Sequence, residues 1–339
     1  MKKGTLLQQL RDKIRDAIPR RILVGTIYPI IAAFHRFQHE TLAAGLEHLQ
    51  LTGEALGSKL RLRSSSAATN AVGKIDSDWE RRIADAVECP DNDRIPRCAN
   101  AGELSGSCIT MHNGIRIRAL SYYGAGILNL LIKNKGVHEP QEELAFQEVL
   151  TCLPPCAVMI ELGAYWGFYS LWFASVVKNP TCYLIEPDPR NIESGKQNFK
   201  LNGKKGVFYK AAAGDLATTL LRTGKLIALD AFCKRQQLSR IDILHADIQG
   251  AELAMLKGAS SLLSGCKIDY IFISSHSNAL HYECLDYLTK YGYVVLCSAD
   301  CDQTYSYDGL LVVKRGNLEH PEKISISLRK SDLRREQGG

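Results

Sequence analysis

Val158-Met159-Ile160-Glu161-Leu162-Gly163-Ala164-Tyr165-Trp166-Gly167 and, after a gap, Tyr183-Leu184-Ile185-Glu186-Pro187-Asp188 are the stretches whose reading decides the fold. Each begins as a short apolar run that fits a buried strand and ends in an acid. The first closes in a glycine turn that opens a helix, so the pair reads as a β-α-β unit built to approach a nucleotide. Glu186 follows Gly163 by 23 positions, close to the roughly 20 expected of an acid that accepts hydrogen bonds from a ribose diol. Dinucleotide folds use G-x-G-x-x-G because a pyrophosphate must sit on a bare helix terminus. Here the turn is Glu161-x-Gly163-x-x-x-Gly167, with Tyr165 and Trp166 where that phosphate would need room. A nucleotide without phosphates fits better, and S-adenosyl-L-methionine is the common one.

Working outward, apolar runs at Val158–Leu162, 182–185, 207–211, 241–244 and 270–273 alternate with helical segments at 168–177, 190–201 and 251–263. That alternation predicts a doubly wound α/β fold with a mostly parallel sheet covered on both faces. A helix over 279–290 and two last strands, 293–297 and 310–313, predict an antiparallel addition at the sheet edge. Upstream, Pro140 opens a helix over 139–150, and His112-Asn113-Gly114 turns into a short strand over 115–119. Residues 61–110 are weakly patterned, punctuated by Ser64-Ser65-Ser66, Pro90 and Pro96, and predict a boundary. Residues 1–60 carry helical periodicity (Leu6, Leu7, Leu10, Ile14, Ile18), with a second stretch over 41–51. Three parts result: a helical and irregular extension over 1–110, a nucleotide-binding domain over 111–320 and a basic tail over 321–339.

Composition narrows the class. The chain has 339 residues, is 45% hydrophobic and carries a net charge of +6, which suits a core-forming globular protein. Its eleven cysteines are scattered without C-x-x-C pairs, which predicts reduced thiols in a cytoplasm rather than a disulfide framework. The polar first twenty residues lack the apolar core of a secretory signal. The run 22–34, with Pro29 inside it, is too short to span a bilayer. Basic residues gather at the start, with Lys2, Lys3, Arg11, Lys13, Arg15, Arg20 and Arg21 against Asp12 and Asp16. Residues 1–40 therefore fit peripheral contact with the inner, anionic face of a membrane. A solvated helix packed on its own domain, or on a second subunit in a homo-oligomer, fits them as well.

Ligands of open α/β sheets bind where the strands end, so the acids there are the candidates. Glu161 and the turn through Gly163, Ala164, Tyr165 and Gly167 are expected to hold one end of the cofactor, and Glu186 with Pro187 its ribose. Ala213-Gly214-Asp215 ends the third strand, where Asp215 is either an adenine-side contact or the cap of a plain turn. Asp247 ends the fourth strand and faces the reacting group. Enzymes acting on base amino groups commonly follow this position with Pro-Pro-aromatic, whereas Ile248-Gln249-Gly250 has no such run. That points away from nucleic acid and toward a hydroxyl. His276, at the end of the fifth strand, has a side chain with an ordinary pKa near 6.5 and suits removal of a proton from an alcohol; a histidine satisfied by backbone bonds is the plainer reading. Gln249, Glu252 and His281 are placed beside the substrate. Asp247, Glu252, His276 and His281 would also suit a divalent metal, but nothing in the sequence fixes their geometry and no metal is assigned.

Together these residues resemble the FkbM family of S-adenosylmethionine-dependent methyltransferases. The family's D-x-G-A-x-x-G-x-x-S is matched by Glu161-Leu162-Gly163-Ala164-Tyr165-Trp166-Gly167-Phe168-Tyr169-Ser170, and its acid-Pro-x-Pro by Glu186-Pro187-Asp188-Pro189, followed by Asn198 and Leu201-Asn202. Its D-x-x-G-A-E-x-x-x-L-x-G-A is matched from Asp247 through Ala251-Glu252 to Gly258-Ala259. Tyr165 departs from the small polar residue often found after Gly-Ala. The resemblance implies a class I methyltransferase (Rossmann-like) fold with a seven-stranded sheet. It also implies O-methylation, often of sugars in surface polysaccharides, glycolipids or glycosylated natural products. Two other classes share the unit: a nicotinamide oxidoreductase, which Tyr165 and Trp166 would crowd, and a non-catalytic scaffold or binding protein.

Overall fold

The strand runs pair as the alternation predicts. In the computed structural model, which describes residues 75–215 and 226–329, β4 (Val158–Leu162), β5 (Thr181–Glu186), β6 (Val207–Lys210), β9 (Ile241–Ala246), β10 (Ile268–Ser275), β11 (Tyr293–Ala299) and β12 (Gly309–Arg315) form one sheet. Its order is β11-β12-β10-β9-β4-β5-β6. The β4, β5, β6, β9 and β10 pairs are parallel, while β12 runs antiparallel to both β10 and β11. This is the seven-stranded, Rossmann-like arrangement of class I methyltransferases, and the antiparallel addition lies where the last two runs place it.

Side chains alternate along these strands, and both faces are apolar, because helices cover both. Met159, Leu184, Ile243, Phe272 and Val312 pack toward α2 (Gly124–Lys133), α3 (Pro140–Leu150), α4 (Phe168–Val176) and Phe199 of α5 (Pro189–Leu201). Ile160, Ile185, Leu244, Ile271 and Val313 pack toward α6 (Leu229–Gln236), α7 (Glu252–Lys257), α8 (Ser260–Ser264) and α9 (Asn278–Lys290).

Three details differ from the sequence expectations. The helix expected over 251–263 is two helices, α7 and α8. Gly258 lies between them, where a Cβ would stand 2.5 Å from the Gly214 carbonyl oxygen. The Asp230 carboxylate accepts the Ser261 and Leu262 N–H groups at 2.8 and 3.0 Å, starting α8 afresh. Second, the third strand stops at Lys210. Ala212–Ala213 (β7) instead pairs with Leu226–Ile227 (β8) in a separate parallel ribbon, so Asp215 follows that ribbon rather than the main sheet. Third, the weakly patterned region contains a helix, α1 (Ser77–Glu88), capped by the Asp76 carboxylate on Trp79 N at 3.0 Å.

Residues 77–110 pack on the domain. Ile83 and Ala86 meet Leu130 of α2, and Ile95 meets Val137 and Leu144. The chain after β12 returns to the same side. Ile324 enters the core, Ser327 donates to Asp91 through both N and Oγ, and Arg329 pairs with Asp85. A small antiparallel sheet of β1 (Leu104–Ser105), β2 (Cys108–Thr110) and β3 (Arg116–Arg118) lies beside α5. All eleven cysteines are free thiols. Among the described residues no helix is long and apolar enough to cross a membrane. The helical periodicity of 1–60, the membrane contact assigned to 1–40 and the tail beyond 329 lie outside the described residues.

Candidate active site

The end of β4 and the end of β9 meet at a single glycine. Gly163 has φ +71, and a Cβ on it would fall 1.8 Å from the Asp247 carbonyl oxygen, so only glycine fits. Backbone bonds fix the seam: Asp247 N donates to Leu162 O at 3.1 Å, and Gly163 N to Ile185 O at 2.9 Å. Beyond it Tyr165 takes the left-handed conformation at φ 38, and Gly167, at φ 70, opens α4. Glu161 is buried below the turn, where its carboxylate accepts Ser170 N at 3.0 Å in the first turn of α4. Burial raises its pKa.

Glu186, at the end of β5, is 6% exposed. Its carboxylate accepts Asp188 N at 2.8 Å, Tyr165 N at 3.3 Å and Asn191 Nδ2 at 3.3 Å. Burial raises its pKa, and the two backbone donors lower it. A carboxylate offers about four acceptor positions, so three donors orient this one and leave capacity for a diol. Pro187 is exposed beside it. The Tyr165 ring meets Tyr122 and Tyr123 at centroid distances of 4.8 and 5.4 Å, while Trp166 turns inward and stacks on Tyr122 at 4.4 Å. The motif asparagines explain how this wall is held. Asn198, fully buried, accepts Arg118 N at 3.0 Å and donates to Trp166 O at 3.0 Å; Asn202 pairs with both backbone groups of Arg116. The small sheet is thereby fastened to the turn from Gly163 to Gly167.

At the neighbouring strand ends, His276 stands among carboxylates. Its Nδ1 lies 3.0 Å from Glu252 Oε1, and its Nε2 lies 3.2 Å from Asp247 Oδ1 and 3.6 Å from Asp308 Oδ1. The Gln249 amide sits 2.7 Å from Nε2 and 3.2 Å from Asp247 Oδ1. Burial opposes a charge on the ring, yet bonds to Asp247 and Glu252 and the field of Asp308 outweigh it and raise the pKa to about 11. That shift favours the protonated ring at neutral pH, with Nδ1 toward Glu252 and Nε2 between Asp247 and the Gln249 amide nitrogen. Glu252 is fully buried, and the same Oε1 also accepts Ile248 N and Gly250 N at 3.1 and 3.2 Å. Expected beside the substrate, it instead braces the 248–250 turn and the imidazole.

His281 also departs from its expected place. On the first turn of α9 it is buried, with Nδ1 2.9 Å from Ser275 Oγ and Nε2 2.8 Å from Ser298 Oγ. Burial lowers its pKa, and both nitrogens are satisfied by hydroxyls, so it positions helix against strand. Asp215 lines a cavity of about 270 Å³ with Gly250, Leu253, Ala254, Lys257, Leu280 and Glu283. Among the described residues no group of three or more His, Cys, Asp or Glu side chains could hold a metal ion.

A second charged group under this rim has no precedent in the sequence reading. The first turn of α3 buries Gln141, Glu142 and Glu143. Glu142 Oε1 lies 2.6 Å from His245 Nε2 on β9, and its Oε2 accepts Ser274 Oγ of β10 at 3.2 Å. Glu143 pairs with His138 at 2.6 Å and His112 at 3.0 Å, and Glu139 pairs with His138 at 3.0 Å while accepting Tyr169 OH. Burial opposes charge on His138, but its two glutamates hold its pKa at about 10, and Glu143 is correspondingly depressed far below the ordinary carboxylate range. The network ties α3 to β9 and β10 just beneath their carboxyl ends, so it positions the strand ends that carry Asp247 and His276.

Residues 222–295 match the family model described as "Methyltransferase FkbM domain". That match spans Asp247, Glu252 and His276 but not the Glu161 and Glu186 turns. No curated protein matches the chain. Solved structures of similar fold include a precorrin-6y C5,15-methyltransferase from Geobacter metallireducens GS-15, at 12% identity and TM-score 0.35, over 52% of this chain and 88% of that one. Another is a ribosomal protein L11 methylase from Lactobacillus delbrueckii subsp. bulgaricus, at 12% identity and TM-score 0.38, over 53% and 80%. A third is M. capricolum TrmK in complex with S-adenosyl-homocysteine, at 12% identity and TM-score 0.36, over 52% and 71%.

Proposed function

We propose that this protein transfers a methyl group from S-adenosyl-L-methionine to a hydroxyl, that of a sugar in a surface polysaccharide, glycolipid or glycosylated natural product. The observation that carries the reading is the meeting of two acid-bearing strand ends at Gly163: Glu186 on one side, the Asp247 and His276 pair on the other, within a chain whose residues 222–295 match the FkbM methyltransferase domain. In this reading Glu186 receives the ribose diol, and the turn from Gly163 to Gly167 with Glu161 beneath it holds the methionine end. The sulfonium supplies an electrophilic methyl carbon. Asp247 and His276 orient the acceptor oxygen toward it, and positioning of this kind provides much of the rate of a displacement. The Ile248-Gln249-Gly250 turn, held to Glu252, lacks the Pro-Pro-aromatic run common where base amines are methylated, which favours an alcohol over a nucleic-acid amine. The reaction belongs in a cytoplasm, where free thiols persist, with residues 1–40 as the segment that would meet a membrane face.

The test is incubation with methyl-labelled S-adenosylmethionine and a panel of monosaccharides, oligosaccharides and glycolipids, followed by mass spectrometry. Label on a sugar oxygen is the expected result. Label on RNA or protein amines in parallel incubations, with none on sugars, would overturn the hydroxyl assignment. Flotation with anionic liposomes tests the membrane reading, since a variant lacking residues 1–40 should lose it.

A further inference from the structure

Because β12 runs antiparallel to β10, with Gly309 opposite Ser275, its first residues arrive at the edge where the parallel strands finish. Asp308 is delivered there, to the Nε2 side of His276 that also faces Asp247. The three carboxylates around the imidazole differ in how far they are committed. Glu252 has no exposed surface, and one of its oxygens accepts three N–H groups. Asp247 Oδ1 is shared by His276 and Gln249. Asp308 makes the longest contact, 3.6 Å, with a side chain 20% exposed against 25% for Asp247, so the looser contact rather than exposure sets it apart. It is the carboxylate that can exchange the imidazolium for a substrate hydroxyl with the least rearrangement.

We propose that Asp308 takes the proton from the acceptor hydroxyl, with His276 acting as a fixed cation that orients it. The proposal rests on the methyl-transfer reading above. In the step, the acceptor oxygen forms a C–O bond to the methyl carbon as the C–S bond breaks. The bonding pair returns to sulfur, giving S-adenosylhomocysteine, and the O–H proton passes to the Asp308 carboxylate and then to solvent. His276 is unsuited to that task because its Nδ1 is held by the fully buried Glu252 and its Nε2 is enclosed by Asp247 and the Gln249 amide nitrogen. Asp308 feels groups from every element around it: His276 after β10, Asp247 after β9, Glu139 before α3 and Arg82 on α1. Burial with Asp247 and Glu139 raises its pKa, and His276 with Arg82 lowers it, to a balance at about 7. A base is most effective when its pKa lies near the working pH.

Two readouts on the full chain test this. In a protein labelled with ¹⁵N-histidine and ¹³C-carboxyl aspartate, His276, assigned with His276→Gln, should stay doubly protonated from about pH 6 to about pH 9. One aspartate signal, missing in Asp308→Asn, should titrate near neutrality. A His276 that loses its proton within that range would overturn the proposal. On a sugar that the wild type methylates, Asp308→Asn should lose more than about 100-fold in kcat with unchanged affinity for S-adenosylmethionine, and Asp308→Glu should recover part of it. A kcat for Asp308→Asn within about threefold of wild type would overturn it too. Calorimetry with S-adenosylmethionine on the wild type separates the premise from the proposal: no binding there sinks the methyl-transfer reading itself.

Discussion

The two halves of the strand-end rim are built in different ways. On the side of β4 and β5 the site is made of backbone: glycines with positive φ at Gly163 and Gly167, and a Glu186 carboxylate whose partners are mostly main-chain N–H groups, of Asp188 and of Tyr165 in the glycine turn. On the side of β9, β10 and β12 it is made of side chains brought from afar. His276 meets Asp247 on one strand end, Glu252 on the following helix and Asp308 at the head of the antiparallel β12. The first half is a backbone-built seat, which in the proposed function receives the part of the ligand common to all methyl donors of this kind. The second is a charge cluster whose balance can be retuned by one substitution, which suits the half that must recognise a particular acceptor.

Substitutions can break or sharpen that contrast. The largest effect belongs to the seam the halves share. Gly163→Ala places a Cβ against the Asp247 carbonyl in a left-handed conformation, and should cost about 4 kcal/mol or more; a urea midpoint equal to wild type would show that the halves are not locked there. Glu252→Ala leaves the His276 cation and two turn N–H groups without their acceptor. It should cost about 3 kcal/mol, as loss of one partner of a buried pair does. Cofactor affinity should fall less than in Glu186→Ala, whereas equal losses would erase the distinction between the halves. Asn198→Ala unfastens the small sheet from the turn from Gly163 to Gly167 and should cost about 2 kcal/mol, the worth of buried bonds left unmade; its loss should appear in S-adenosylmethionine affinity.

The smallest effect is graded and depends on pH. The His276 pKa rises from 6.5 to about 11 on folding, so its stabilising share is complete below pH 6.5 and is lost as pH climbs through about 11. Thermal denaturation of His276→Gln should therefore show a flatter decline than wild type across the alkaline range, and identical slopes would refute a folded-state cation. His138, near 10, contributes in the same direction and remains in the variant.

The same contrast explains what the sequence made legible. The seat could be read because its parts are contiguous: acid, glycine, helix, then strand and acid, each a local requirement of backbone geometry. The strand runs of the sheet were legible for the same reason, since alternation and length are local. Asp308 was not, because its role depends on β12 entering the sheet in reverse. The signal existed in the antiparallel addition expected from 293–297 and 310–313, since the residues before an antiparallel strand lie where its parallel neighbour ends. The helix opened by Pro140 could be read, but not the burial of its first turn: Glu142 and Glu143 meet histidines 112, 138 and 245, and Gln141 bonds to Thr304, Tyr305 and Ser327, which lie far away in sequence. His281 was misplaced because a histidine one turn beyond a site looks, in sequence, like a member of it; its serine partners lie on two strands.

The most direct test of the central claim is calorimetric titration of the full chain with S-adenosylmethionine and S-adenosylhomocysteine, beside Glu186→Ala. Saturable binding of both at about micromolar Kd, roughly −8 kcal/mol, weakened by tenfold or more in the variant, is the predicted result. Absence of binding to folded wild-type protein, or binding that Glu186→Ala leaves unchanged, would contradict the assignment of this rim as a methyltransferase site.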